Sequence, residues 1–376
     1  MKVKPFGIIP AIATLVLSVG LVNHVLVVPI LLAEAKRDSW MSVIVSLAVV
    51  LPWAAIPLFG LLKKLNGVRF DIWLSDRVHP VIRWIIMSYL LLVLFMIAVE
   101  ALIVTSSWTG TTYLPNTPTV IIAAVFLGLS LYAAHMGLRT IAFMSCLLIP
   151  MVLFLGDFVM VTNMPNKDYR YLLPFFEYGL SPVVKASINC LTAFSELFVL
   201  LLIQHHFKAR LKLWHLVALV LFLALLAIGP LTGALSQFGP EEARKLKYPA
   251  FSQWRLVTVG RYFEHVDFFA IFQWLSGSLI RLSLSLYVLL EYFPIPRKKK
   301  KWIAPAVLGA VMVSLAYYWT DHMIFYRVVV KYWFHYMGMT TMAVIAIVFG
   351  ISFLNKKRRE QHERQNGSRE TKKQYA

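Results

Sequence analysis

"TLVLSVGLVNHVLVVPILLAEA", residues 14–35, decides whether the chain opens with a removable leader or with a membrane helix. Lys2 and Lys4 precede the apolar run, and Ala33-Glu34-Ala35 loosely matches a cleavage site. A secretory leader has an apolar core of about 7–15 residues. The run from Ile8 to Ala33 is far longer and suits a bilayer crossing of about 20 residues. It is read as the first span. Ser18, Gly20, Asn23 and His24 interrupt it, and Pro29 follows. Gly20 permits close approach or a backbone break, and Pro29 removes an amide donor. Backbone groups freed inside lipid must meet protein, ligand, ion or cavity water. Two readings stand level here: a kinked, packed helix, or a broken helix that lines a site.

The rest of the chain is of the same kind. Its 376 residues are 59% hydrophobic and 15% charged, with a mean hydropathy of +0.70. A soluble domain is about 25% charged. The fold class is therefore an all-α polytopic membrane protein. About ten transmembrane helices are expected, near 8–33, 40–62, 84–107, 119–137, 141–160, 184–204, 214–235, 263–290, 303–319 and 337–354. They divide five and five, with approximate repeats 8–160 and 184–354. The count is compatible with the inverted repeats common in transporters. Residues 1–355 read as one transmembrane domain, followed by a basic tail, 356–376.

The net charge of +19 is read as topology and attraction to anionic lipid, not as a nucleic-acid site. The short loops around Lys63, Arg139 and Lys208, the "RKKKK" run at 297–301 and the tail are all basic. Placing them in the cytoplasm puts both termini inside. Two loops on the other side, 157–182 and 236–262, are too long for simple turns. The second holds "PEEARKL", where Pro240 is placed to begin a short helix. "AFSQWRLV", 250–257, mixes apolar and basic residues as a lid or interfacial helix would. Cys146 and Cys190 both fall in apolar segments and form neither a disulfide scaffold nor a zinc motif.

Polar groups inside spans mark candidate sites, because lipid makes them costly. In the sixth span, "ASINCLTAFSELFVLLLIQHHF", residues 186–207, Asn189, Thr192, Ser195 and Glu196 interrupt the middle. In the third, Glu100 lies near mid-depth. It is a candidate for holding a proton, a substrate amine or a partner side chain. In the eighth, Glu264, His265 and Asp267 sit at one end, as an outer mouth or subunit contact. Arg281 lies fourteen residues beyond Asp267, about 21 Å along an ideal helix. It is assigned to a separate, inner polar network, meeting another helix or snorkelling. Aromatic residues such as Trp108, Tyr113, Tyr169 and Trp319 read as an interface belt or as a gate over a small ligand. No catalytic signature stands: His205-His206 is adjacent rather than i,i+4, and HExxH, Walker A and GxSxG are missing.

"YPAFSQWRLVTVGRYFEHVDFFAIFQWLSGSLIRLSL", residues 248–284, carries the most specific resemblance. With the Gly-Asn-His interruption of the first span, it resembles the spore germination permease family. These are the B subunits of nutrient germinant receptors, within the amino acid–polyamine–organocation transporter superfamily. The likeness spans roughly residues 5–355. It implies two inverted five-helix repeats with discontinuous first and sixth helices. Their breaks would fall near Ser18-Val19-Gly20 and Ala193-Phe194-Ser195, turning the reading of the first span toward a site-lining break. It implies a central pocket, whose candidates here are Ser18, Gly20, Asn23, Glu100, Thr192, Ser195 and Glu196. It further implies sensing of a small nutrient, often an amino acid, at the spore inner membrane, with an A-type membrane subunit and a C-type lipoprotein subunit. No enzyme activity, cofactor or metal is implied. Two alternatives remain: an amino-acid or cation-coupled transporter, and an ion- or water-conducting structural subunit.

Overall fold

Lipid offers the backbone no hydrogen-bond partner, so a chain this apolar must close its own ladders as helices. A computed structural model describes residues 5–258, 266–293, 303–321 and 323–354. Glu264, His265, the 297–301 lysine run and the 356–376 tail lie outside the described residues. The α-helices in chain order are α1 (Ile8–Leu21), α2 (Val28–Ala35), α3 (Ser39–Trp53), α4 (Phe59–Leu65), α5 (Phe70–Ser75), α6 (Pro80–Thr112), α7 (Thr119–Met136), α8 (Leu138–Thr162), α9 (Leu180–Ser195), α10 (Val199–Ile203), α11 (Leu213–Ala243), α12 (Pro249–Trp254), α13 (Phe269–Tyr292), α14 (Ile303–Asp321) and α15 (Met323–Leu354).

Among the described residues, eight helical runs are long and apolar enough to cross a membrane. The first, Ile8–Leu65, has 58 residues. That is about 87 Å of ideal helix against a hydrocarbon layer of about 30 Å. It breaks at Lys36, where φ is 48° and ψ −122°, so it has the length of two crossings. Ile303–Trp319 is a shorter apolar helix. Some boundaries differ from those expected. Val266–Phe268 are not helical, so α13 starts at Phe269 rather than near 263. Helix α11 continues past 235 to Ala243 across a kink at Gly239 (φ 72°, ψ 161°). Pro240 begins the turn beyond that kink.

The expected breaks are displaced and gentler. Ser18–Gly20 is α-helical, and the irregularity is a π-turn, Val22–Leu26, in which Val27 N–H reaches Val22 O at 2.9 Å. Pro29 explains its place: with no N–H it leaves the carbonyl of Val25 without its helical donor, and the turn before it widens. In the sixth span the break is a 3-10 turn, Glu196–Phe198, just after the Ala193–Ser195 stretch. A second π-turn, Ala54–Leu58, contains Pro57.

Helix α9 is the centre of the packing. It lies against α2, α3 and α15, while α13 lies against α1, α6, α7 and α8. Its apolar window is 94% buried, against 17% for α8. Seven small or polar residues of α9 (Ala186, Ser187, Asn189, Cys190, Thr192, Ala193, Ser195) are buried. Such residues let helix backbones approach where lipid supplies no hydrophobic drive. The closest approach is to α15. The Thr192 hydroxyl donates to Phe334 O at 2.6 Å and accepts from Gly338 N–H at 3.1 Å. These groups stand at i and i+4 of α15, so the hydroxyl bridges one turn of that helix. Only glycine allows this: a Cβ on Gly338 would stand 2.4 Å from Thr192 N.

The loop 157–182 folds over the α2–α3 turn. Arg37 Nη1 pairs with Glu177 at 3.1 Å and donates to Leu173 O at 2.8 Å, and Asp38 Oδ1 accepts from Phe176 N–H at 2.9 Å. Helix α12 is an inserted element rather than an exposed interfacial one, since Gln253 and Trp254 are buried. Gly338→Ala is expected to destabilise by about 1–3 kcal/mol or more through overpacking. The measurement is the unfolding temperature of the purified protein in detergent. An unchanged midpoint would show that α9 and α15 do not approach this closely.

Candidate functional site

The costliest groups in the sequence lie together. Arg281 of α13 is fully buried and is held by residues from three other segments. Glu196, in the 3-10 turn after α9, takes both terminal nitrogens, with Nη2 to Oε1 at 2.8 Å and a shorter Nη1–Oε2 contact. Glu100 of α6 accepts from Nη2 through Oε2 at 3.2 Å. Nη1 also donates to Ser18 O of α1 at 3.4 Å. Gly277, one turn before Arg281, makes the approach to α1 possible, since a Cβ there would lie 3.3 Å from Leu17 O. The sequence set Arg281 apart from the two glutamates because its partners are 85 and 181 residues away. The structure joins them.

The charges do not balance. One guanidinium faces two carboxylates, and an unpaired charge in the protein interior costs several kcal/mol. The bidentate pair with Glu196 is the stronger geometry. Glu100 makes the looser contact and keeps some access, its side chain being 8% exposed against 0% for Arg281. It is the less tightly held of the two carboxylates.

A buried aromatic layer sits farther along the same helices. Trp108 stacks on Trp274 with centroids 4.2 Å apart and planes at 5°. Phe251 of α12 meets Trp108 edge-on at 5.5 Å, and Tyr248 meets Trp274 at 5.2 Å. Trp108 is fully buried, so it belongs to this layer and not to an interface belt. Glu100 to Trp108, and Arg281 to Trp274, each span two helical turns, about 10–12 Å. Between the layers, Thr105 donates to Ser278 Oγ at 2.8 Å. Tyr113 donates to the backbone oxygen of Asp267 at 2.9 Å, and burial pushes the Tyr113 phenol up to about 12. It therefore stays a neutral donor throughout the physiological range.

The remaining candidates are placed as follows. Asn23 is fully buried in the π-turn; its Nδ2 donates to Val19 O at 3.0 Å, and its Oδ1 meets no donor among the described residues. His24 Nδ1 lies 3.1 Å from Leu226 O, tying the π-turn to α11. A Cβ on Gly20 would touch Leu226 at 3.0 Å. Thr192 is spent on α15, and Ser195 donates to Thr192 O at 2.8 Å, so neither hydroxyl is free in this conformation. Trp274, Gly277 and Gly338 were not singled out as site-forming, because nothing local separates them from other membrane-helix residues. An apolar groove of about 430 Å³ between α6 and α15, lined by Tyr89, Trp333, Tyr336 and Thr340 among others, shares no residue with the charged centre.

Among the described residues, helices long and apolar enough to cross a membrane enclose a charged centre, which defines a multi-pass helical membrane protein. The family model "Spore germination protein" matches residues 3–324. The chain is 32% identical to spore germination protein XB of Bacillus anthracis over 350 residues, covering 91% of this chain and 96% of that protein. It is 27% identical to the putative spore germination protein YfkT of Bacillus subtilis (strain 168) over 277 residues, covering 72% of this chain and 74% of that one. The chain belongs to the spore germination permease family. It is a multi-pass membrane protein of a transport family rather than an enzyme family, and membership implies a germinant-receptor complex.

Removing Arg281 while leaving both carboxylates should cost about 3–5 kcal/mol, the penalty of uncompensated buried charge. Arg281→Met is expected to lose most of the folded protein, and Arg281→Met with Glu100→Gln and Glu196→Gln to regain much of it. Monodisperse yield on size exclusion reads this. Equal yields for the single and triple variants would overturn the charge-balance account.

Proposed function

We propose that the chain is the nutrient-sensing membrane subunit of a spore germinant receptor. It binds a small nutrient such as an amino acid and triggers germination. The observation that carries this reading is the surplus carboxylate at Glu100, held beside Arg281 and two turns below the aromatic layer. An ammonium group on a nutrient would supply the missing positive charge. The Oδ1 of Asn23, which meets no donor among the described residues, offers an acceptor from the first span. Occupancy would favour one arrangement of α1, α6, α13 and the Glu196 turn, and partner subunits would read that population shift.

In this reading, residues 1–355 form one transmembrane domain. Its ten crossings fall in two inverted five-helix repeats, 8–160 and 184–354, and the basic tail 356–376 is cytoplasmic with the N-terminus. The protein sits in the spore inner membrane beside an A-type membrane subunit and a C-type lipoprotein. Glu264, His265 and Asp267 would then lie at the outer mouth or at a subunit contact, with the aromatic layer as the gate. Phe251 and Tyr248 support the gate, since they join the long 236–262 loop to Trp108 and Trp274.

The deciding experiment compares spores lacking the gene with the same spores complemented, across separate amino acids, sugars and salts, with partner-subunit abundance checked. A nutrient-specific defect restored by complementation is expected. An unchanged response to every nutrient, with no redundant receptor present, would sink the proposal. Glu100→Gln should raise the nutrient concentration for half-maximal germination about tenfold or more, the equivalent of about 1.4 kcal/mol, at normal abundance. The same carboxylate favours a second reading, a cation-coupled transporter with Glu100 carrying the proton. Nutrient-dependent proton movement in proteoliposomes, lost in Glu100→Gln, would select it. A conducting structural subunit would instead keep nutrient binding unchanged when signalling is lost.

A further inference from the structure

His205 and His206 end the 3-10 turn Gln204–His206 that follows α10, and Glu291 stands near the end of α13. Neighbours in sequence normally aim their side chains apart. Here the two imidazole centroids are 3.9 Å apart, tilted by 41°. Both Nε2 atoms face one oxygen, Glu291 Oε1, at 3.2 Å for His205 and 3.0 Å for His206, and His206 Nε2 is also 3.2 Å from Oε2. One donor atom from each residue lies within 4.8 Å of the others. The side chains of the two histidines are 10% exposed and that of Glu291 11%. The Tyr287 hydroxyl, 3.3 Å from His206 Nε2, is a fourth polar neighbour.

The frame around them is already fixed. Gln204 bridges Gly67 N–H at 3.0 Å and Val68 O at 2.7 Å. Tyr292 donates to Leu202 O at 2.8 Å, and His206 O accepts from Phe6 N–H at 3.2 Å. Three converging donors on a tied frame lower the ordering cost of any ion that enters.

We propose that His205, His206 and Glu291 form a binding site for a divalent transition-metal ion, for which Zn²⁺ is the direct probe. Two imidazole nitrogens and one carboxylate are a transition-metal donor set, whereas Mg²⁺ and Ca²⁺ take oxygen ligands. Zinc bonds to nitrogen or oxygen are about 2.0–2.2 Å long, so two ligands at about 100° stand about 3.2 Å apart. The nitrogen–oxygen distances here are already of that size. The bound ion would carry a second charge past the single carboxylate, with water or Tyr287 completing the shell. It would clamp the end of the α9–α10 run to α13, the helix that carries Arg281.

The test uses the full-length protein in detergent, freed of any polyhistidine tag. Zinc is titrated calorimetrically in the native protein, in His205→Gln/His206→Gln and in Glu291→Gln. The expected result is one ion per chain, with affinity reduced about 100-fold or more in the histidine pair, at least the loss caused by disturbing outer-shell partners, and no comparable uptake of Mg²⁺. If the double variant does not stay monodisperse, X-ray absorption at the zinc edge of the native protein decides, with two imidazole ligands expected. Absence of zinc binding, retention of full affinity in a folded double variant, or fewer than two imidazoles at the zinc would each overturn the site.

Discussion

The guanidinium of Arg281 is the constraint around which the rest is arranged. A buried cation is costly unless it is paired, and here the two terminal nitrogens of the guanidinium are met by Glu196, Glu100 and the carbonyl of Ser18, while Nε meets no acceptor among the described residues. Those groups come from three parts of the chain and Arg281 from a fourth, so α1, α6, α13 and the turn after α9 must keep their relative positions. Gly277 and the small residues of α9 permit the distances that the charges require. A buried ion cluster of this kind is weak evidence for stability in itself, because desolvation offsets the attraction. What it does is tie four segments into one arrangement, with two carboxylates sharing one guanidinium.

Charge and hydropathy made the membrane class and most of the helices readable from the sequence, because twenty apolar residues in a row have few other uses. Polar residues inside spans pointed to Glu100, Glu196 and Arg281, because lipid penalises each one. Their association was not readable. Pairing across 85 and 181 residues depends on which helix faces which, and hydropathy does not encode that. Helix α8 and the run that contains α9 illustrate the limit: both are apolar enough to cross, yet 17% of the first apolar stretch is buried inside the protein and 94% of the second. The distinguishing signal was the run of small and polar residues in α9.

The breaks teach a related lesson. Gly20 and Ser195 drew attention as weak points, but the irregular turns fall at Val22–Leu26 and Glu196–Phe198. In the first span the cause is the proline downstream, whose missing donor is felt by carbonyls four residues earlier. A motif that marks a break therefore sits on one side of it. The family relationship supports the general architecture, while the geometry around Arg281 gives the particular chemistry a place.

The Thr192 hydroxyl has a mechanical consequence. Because it bridges Phe334 O and Gly338 N–H of α15, at a point where only a glycine leaves room for the α9 backbone, α9 and α15 are coupled there as one mechanical unit. Glu196 directly follows the last residue of α9. The charged centre and the grip on α15 therefore hang on the same short stretch of chain, and a rotation of α9 would have to break both hydrogen bonds or carry α15 with it.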